Sequence, residues 1–246
     1  MSVAAIVRAY HLTDFLPSVL ESLEDIPVKL LVSGRWIGVA SASDDAQEIA
    51  AKHGWNILAP GELPQHEVLN AAIKAVEHCS QALIIDADEI VLPDSIEAIL
   101  AAHRERPNAA IACHVKDYWR TPAWAIDPMR EHTPVVCVRP GQVRFSRSRC
   151  VAGHDGFVTA KALIHHLGFC FTDDDMLWKC SNRPDEIVPP TWYNDVWMRW
   201  KPGMRNLGME RPEDFAEAVP TDAPSDVWAA YTAGLTRRKT RLKRSG

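Results

Sequence analysis

The chain opens on Val3-Ala4-Ala5-Ile6-Val7, an unbroken apolar run of strand length, which predicts a strand buried on both faces. A polar break at His11-Leu12-Thr13 follows. Phe15, Leu16, Val19, Leu20 and Leu23 then recur at the helical period, with Thr13 or Asp14 available as a cap and Pro17 tolerable in the first turn. Val28-Lys29-Leu30-Leu31-Val32 predicts a second strand. Ser43 or Asp44 caps the next helix, which turns Ala46, Ile49 and Ala50 inward and stops at Gly54, a C′ glycine. Trp55-Asn56-Ile57-Leu58 reads as a short third strand. The stripe Val68, Leu69, Ala72, Ile73 and Val76 predicts a helix over 65–78, and Ala82-Leu83-Ile84-Ile85 the fourth strand. A helix after Pro93-Asp94, with Ile96, Ile99 and Leu100 on one face, and a strand over 109–115 extend the series. Strands and helices in alternation predict an α/β fold, a mostly parallel sheet with helices on its faces.

Beyond residue 116 the rhythm breaks and the text turns rich in tryptophan and histidine, with Trp119, Trp124, His132, His154, His165, His166, Trp178, Trp192, Trp197 and Trp200. An indole offers a sugar ring a flat apolar platform with one donor. Trp192, Tyr193, Trp197 and Trp200 also stand at near-helical spacing, which suits a plain core. No repeat and no low-complexity linker separates the parts, so 1–115 and 116–220 are expected to be two halves of one fold, with 221–246 as a tail.

The tail changes the charge picture. Six of the last ten residues (Arg237, Arg238, Lys239, Arg241, Lys243, Arg244) are basic, and removing them from the net charge of −5 leaves a body at −11. So acidic a body is a poor phosphate-backbone binder, which argues against nucleic acid as a partner. The basic tail reads either as a solvated, frayed terminus or as a short polybasic segment in contact with an anionic membrane surface. No apolar run approaches the ~18–20 residues that span a bilayer, and the first residues lack a secretory pattern. The six cysteines stand far apart with no C-x-x-C pair, as expected for reduced thiols. A cytoplasmic protein, peripheral at the inner membrane face, is the expectation.

The stretch that points to chemistry is Ile84-Ile85-Asp86-Ala87-Asp88-Glu89. If the strand continues through it, carboxylates at i and i+2 share one side, at the sheet's carboxyl end, where open α/β folds bind ligands. Two such carboxylates call for a positive group between them, and hard oxygen donors suit Mg²⁺ or Mn²⁺.

Asp86-Ala87-Asp88-Glu89, after an apolar strand and before Leu92-Pro93-Asp94, resembles the D-x-D region of glycosyltransferase family two, fold type A. Ile6-Val7-Arg8 with Phe15-Leu16 and Leu20-Glu21-Ser22-Leu23 is similar to that family's first β-α unit. Ser43-Asp44-Asp45 resembles its Ser-Thr-Asp helix start, and Asn70-Ala71-Ala72-Ile73 the helix before the D-x-D strand. The likeness covers about residues 3–103. It implies a metal-dependent glycosyltransferase that moves a sugar from a nucleotide-diphosphate sugar, with inversion, to a glycan or lipid-linked saccharide acceptor. Residues 1–115 would bind the donor and 116–220 the acceptor. Arg8, Asp44, Asn70 and Asp86 would contact the nucleotide, and Asp86, Asp88 and His166, from Ile164-His165-His166-Leu167-Gly168-Phe169, would hold Mn²⁺ or Mg²⁺. Asp155, in Gly153-His154-Asp155, is the expected base, with Asp127 and Asp173-Asp174-Asp175 as rivals.

Two other readings compete. A phosphatase of the haloacid-dehalogenase class would use Asp86 as nucleophile and Asp88 as acid, and a non-catalytic module of the same fold would bind a partner only.

Overall fold

The computed structural model describes residues 2–9, 13–33, 44–61, 63–129, 133–147, 149–181, 191–208 and 216–245. The first half follows the expected alternation: β1 (Val3–Ala9), α1 (Leu16–Ser22), β2 (Val28–Ser33), α2 (Asp44–Lys52), β3 (Asn56–Leu58), α3 (Gln65–Ala75) and β4 (Gln81–Asp86). These four strands are parallel, in the order β3-β2-β1-β4. Successive side chains of a strand face opposite ways, and β1 is apolar from Val3 to Val7, so it feeds both sides of the sheet. Ala5 and Val7 pack with Leu16, Leu20 and Leu23, while Ala4 and Ile6 pack with Val68, Leu69, Ala72 and Ile73 of α3.

The second half differs in kind. It contains β5 (Glu89–Val91), α4 (Pro93–Glu105), β6 (Ala110–Trp119), β7 (Thr121–Asp127), β8 (Val135–Val138), β9 (Arg144–Arg147), β10 (Cys150–Ala152), β11 (Phe157–Phe169), α5 (Asp173–Ser181), a π-helical turn (Tyr193–Trp197), β12 (Glu217–Pro220) and α6 (Ser225–Ser245). The sheet runs β12-β7-β6-β8-β4-β1-β2-β3, and β8 lies antiparallel between β4 and β6. β11 runs parallel to β6, and its later residues pair antiparallel with β5 in the register His166↔Glu89 and His165↔Ile90. The sheet is therefore parallel in its first half and mixed in its second.

The structure decides between the two readings of the tryptophans and changes the reading of the tail. The tryptophans are largely core: Trp119, Trp192 and Trp197 are buried and pack together at 5.1–6.4 Å between ring centres. The C-terminal segment is not a solvated tail, because α6 docks on the domain. Arg238 is buried and paired with Asp14 at 2.7 Å and Asp175 at 3.2 Å, and Gly234 lets the helix approach Phe15. All six cysteines are free. Among the described residues, no helix is long and apolar enough to cross a membrane.

Candidate functional site

β1 is the strand from which the chain leaves in both directions, to β2 on one side and later to β4 on the other. Such a switch point opens a crevice beyond the strands' carboxyl ends, where open α/β sheets bind ligands. The last residues of β1 and β4 meet there, with Arg8 in register with Asp86. Arg8 grips Asp86 bidentately, Nε to Oδ1 at 2.7 Å and Nη2 to Oδ2 at 2.8 Å, and its Nη1 donates to Gln65 Oε1 at 3.1 Å.

A second guanidinium reaches the same carboxylate. Arg149 sits in the turn of the β9–β10 hairpin, is buried, and lies 3.1 Å from Asp86 Oδ2 and 2.5 Å from Glu89 Oε2. Glu89 also accepts the Asp86 amide at 2.8 Å. Burial opposes the charged form of Asp86, but Arg149 and Arg8 outweigh it and hold the carboxyl below the usual range. Glu89 moves the other way. Burial and the neighbouring Asp86 charge raise it, against the pull of Arg149.

Asp88 belongs to a different group. The strand stops at Asp86, the chain turns through Ala87 and Asp88, and β5 begins at Glu89. Asp88 Oδ2 lies 3.5 Å from His166 Nε2 and 3.7 Å from Lys179 Nζ. Asp117, buried on β6, takes the other ring nitrogen of His166 at 2.5 Å. Burial disfavours the imidazolium, yet Asp88 and Asp117 together raise His166 to about 9. Lys179 donates to the Gly168 carbonyl at 2.8 Å. Gly168 itself is obligatory, since a Cβ there would stand 2.3 Å from the His166 ring and 3.1 Å from Asp88 Oδ2. His165 points elsewhere, to the Tyr118 hydroxyl at 2.8 Å, and burial with the Lys116 charge lowers it to about 4.

The structure therefore brings Asp88 and His166 together and gives Asp86 to two arginines. Arg8 takes one acceptor position on each oxygen of Asp86 and Arg149 adds an ion pair at 3.1 Å, which makes Asp86 a poor metal ligand but leaves room for a hydroxyl. Asp88 and His166 do suit a hard divalent ion, for their spacing allows one ion to touch both, and Asp117 orients the imidazole as the outer carboxylates of metal sites do. Among the described residues no three or more His, Cys, Asp or Glu are placed to hold one ion together, so the remaining ligands would come from phosphate and water.

Two expected residues lie elsewhere, and the side chain of a third is outside the described residues. Asn70 does not face the crevice cluster; its side-chain amide brackets the Phe145 backbone, Nδ2 donating to the carbonyl at 3.0 Å and Oδ1 accepting from the amide at 2.8 Å, and so pins β9. Asp44 opens α2, and its side chain, like Ser43, lies outside the described residues. Asp155 cannot be the base for this site. Its amide bonds Asn108 just before β6, at the amino end of β6 and β11, whereas His166 lies about 30 Å further along β11. Of its rivals, Asp173 accepts from Trp197 Nε1 at 2.8 Å and from Arg120 at 3.3 Å, and Asp175 serves Thr172 and Arg238. Sequence reasoning missed Arg149, Asp117 and Lys179. Asp117, an acid in a buried strand two residues before Trp119, carried the one readable signal.

No protein-family model and no curated protein matches the chain. Among solved structures it is similar to glucosyl-3-phosphoglycerate synthase from Mycobacterium tuberculosis, in a complex with Mn²⁺, UDP and glucosyl-3-phosphoglycerate, at 16% identity and a TM-score of 0.36. It is also similar to S. aureus TarS in complex with UDP-GlcNAc, at 19% identity and a TM-score of 0.38. Each match covers 48% of this chain and 44% and 35% of the other chain, so less than half of either neighbour's length is spanned.

Proposed function

We propose that the chain is a glycosyltransferase that takes its sugar from a nucleoside-diphosphate donor and uses a divalent ion, Mn²⁺ or Mg²⁺. The observation that carries this reading is the pairing of two charge clusters at the switch point: Arg8–Asp86–Arg149–Glu89 at the ends of β1 and β4, and Asp88–His166–Asp117–Lys179 one turn further on. An anionic diphosphate with a hydroxylated sugar and ribose needs cations, a metal ligand set and acceptors for hydroxyls within one crevice, and these side chains provide all three. When bound, the ion would neutralise charge on the departing diphosphate.

The chain's own residues have separable tasks in this reading. Asp88 and His166 hold the ion, and Asp117 keeps the imidazole turned towards it. Asp86, fixed and kept ionised by Arg8 and Arg149, accepts a hydroxyl of the donor. Lys179 carries a positive charge beside Asp88 that can meet a phosphate oxygen. The phosphatase reading fares worse on the same geometry, because a nucleophilic aspartate needs a free oxygen and both oxygens of Asp86 are held by guanidinium groups.

Calorimetric titration with UDP, GDP, CDP and dTDP, in Mn²⁺ and in EDTA, tests the proposal. One diphosphate should bind in Mn²⁺ and lose that affinity in EDTA and in Asp88→Asn, while Asp155→Asn binds normally. Absence of binding by all four in the presence of metal would refute it and favour a non-catalytic module. A beryllium fluoride adduct on Asp86 would favour the phosphatase.

A further inference from the structure

The outer face of α6 combines features that the core does not explain. One side of the helix is committed to the domain: Val227, Ala230, Gly234 and Arg238 are buried, and the Tyr231 hydroxyl donates to the Arg120 carbonyl at 3.4 Å. The other side forms a shallow groove lined by Trp228, Ala229, Thr232, Ala233, Thr236 and Arg237. Trp228 is 39% exposed, among the few large apolar side chains left in solvent. Of the basic residues at the terminus whose side chains are described, Arg238 is spent on Asp14 and Asp175 and Arg237 on the Asp14 carbonyl at 2.9 Å. Lys239 is exposed, and Arg241, Lys243 and Arg244 follow it in the sequence of the same helix.

The position of the helix matters as much as its composition. Asp14 follows β1, Arg120 follows β6 and Asp175 follows β11, so α6 is tied to the sheet's carboxyl edge, the edge that carries Asp86 and Asp88. The body is acidic and the end of α6 is basic. An anionic surface is thus repelled by most of the molecule and attracted at the end of this helix. An exposed indole on a helix that ends in lysine and arginine is the composition of interfacial helices.

We propose that the outer face of α6, from Trp228 to the basic terminus, is a docking surface for an anionic lipid bilayer, with the helix lying in the headgroup plane. The surface is rigid with the domain and so sets the carboxyl-edge crevice beside the bilayer. Resting on the glycosyltransferase reading, this makes the acceptor a saccharide or headgroup displayed at a membrane.

Lys239 and Lys243 share the face of Trp228 at the helical period, and each basic residue on that face is worth about fivefold in partitioning onto an anionic surface. Replacing Lys239 and Lys243 by Gln should weaken binding roughly 20–30-fold, and Trp228→Ser about tenfold. The test is sedimentation of the whole chain, without nucleotide, with phosphatidylcholine vesicles that contain or lack phosphatidylglycerol, at low and high salt. Circular dichroism melting checks that each variant is folded.

Binding only to vesicles with phosphatidylglycerol, lost at high salt and in the Gln variant and reduced in Trp228→Ser, is the expected result. No binding to those vesicles at low salt overturns the proposal, as does binding that both variants retain. A dimer in analytical ultracentrifugation that Trp228→Ser dissociates would also overturn it, because a second copy would then cover the face. None of these readouts involves nucleotide, so their failure leaves the donor titrations to decide the enzymatic reading separately.

Discussion

Replacing Arg149 by Met tests the charge cluster at the switch point most directly. Met keeps much of the side chain's length and apolar bulk but removes a guanidinium that lies 3.1 Å from Asp86 and 2.5 Å from Glu89 in a buried setting. Taking one partner out of a buried ion pair costs about 3–5 kcal/mol, because the remaining charge is left uncompensated. Two features place the loss near the low end. Asp86 keeps its bidentate Arg8, and Glu89, already raised by burial and by Asp86, can escape its charge by taking a proton. About 3 kcal/mol at neutral pH, or roughly 6–12 °C in Tm for a chain of this size, is the expected loss. The sign of its pH dependence comes from Glu89. Without Arg149 its folded-state pKa rises further above the unfolded value, so the folded state binds more protons and the loss shrinks as pH falls. Urea unfolding of wild type, Arg149→Met and Arg149→Met/Glu89→Gln at neutral and mildly acidic pH measures all of this. The double variant, which has no charge to strand at position 89, should recover most of the loss. A loss below about 1 kcal/mol that is flat with pH, or a double variant no better than the single one, would refute the reasoning.

Further consequences can be measured on the same protein. In EDTA the histidine pair should shape stability in opposite ways: His165, held near 4, contributes stability that is lost as pH falls from about 6.5 to 4, while His166, raised to about 9, contributes stability that is lost as pH rises from about 6.5 to 9. His165→Asn should therefore flatten the acid limb of the urea-unfolding profile and spare the alkaline limb; an unchanged acid limb contradicts the assignment. Gly168→Ala forces the His166 ring off Asp117, and Mn²⁺-dependent nucleotide affinity should fall at least tenfold by calorimetry. Gly234→Ala places a methyl 2.7 Å from the Phe15 ring, and thermal melting should show a loss of about 1–3 kcal/mol as α6 is pushed off its seat. Asn70→Ala removes both hydrogen bonds to Phe145, so trypsin should cut the hairpin at Arg144 or Arg147 faster than in wild type; equal rates would mean that Asn70 does not hold it.

The first half of the fold was legible because its signals are local and redundant. Apolar runs of strand length, the stripe Val68–Leu69–Ala72–Ile73 and the glycine at 54, which adopts φ +70°, each name one element without help from the rest. The second half was not, since its strands pair across long separations: β6 with β8 and β11, β5 with β11. Pairing of that kind is set by tertiary fit and leaves little periodicity to read. The helical end of the chain was misread for a related reason. Six basic residues in ten look like a solvated tail, and only Asp14, more than two hundred residues earlier, shows that Arg238 is a buried ion-pair partner.

The candidate site shows where a spacing argument reaches its limit. Asp86 and Asp88 share a side only while the backbone stays extended, and here it does not: the strand ends at Asp86, and Ala87-Asp88 form the turn into β5. The three residues of β5 drive that turn. Glu89 must face inward to reach Arg149 and the Asp86 amide, and Ile90 and Val91 must enter the core beside His165 and Ile164. Those demands rotate the second aspartate away from the first and hand it to His166 and Lys179. Each carboxylate thus acquires its own cations, and the crevice holds two paired clusters where the motif, taken as a strand, implied one shared ion. A ligand that binds across both must bring charge of both signs, which a diphosphate accompanied by a divalent ion does and either component alone does not. Titrating Mn²⁺ without nucleotide, and nucleotide without Mn²⁺, should accordingly give weak binding in each case and strong mutual enhancement when both are present; tight binding of nucleotide in EDTA would show instead that Arg8, Arg149 and Lys179 suffice without a metal.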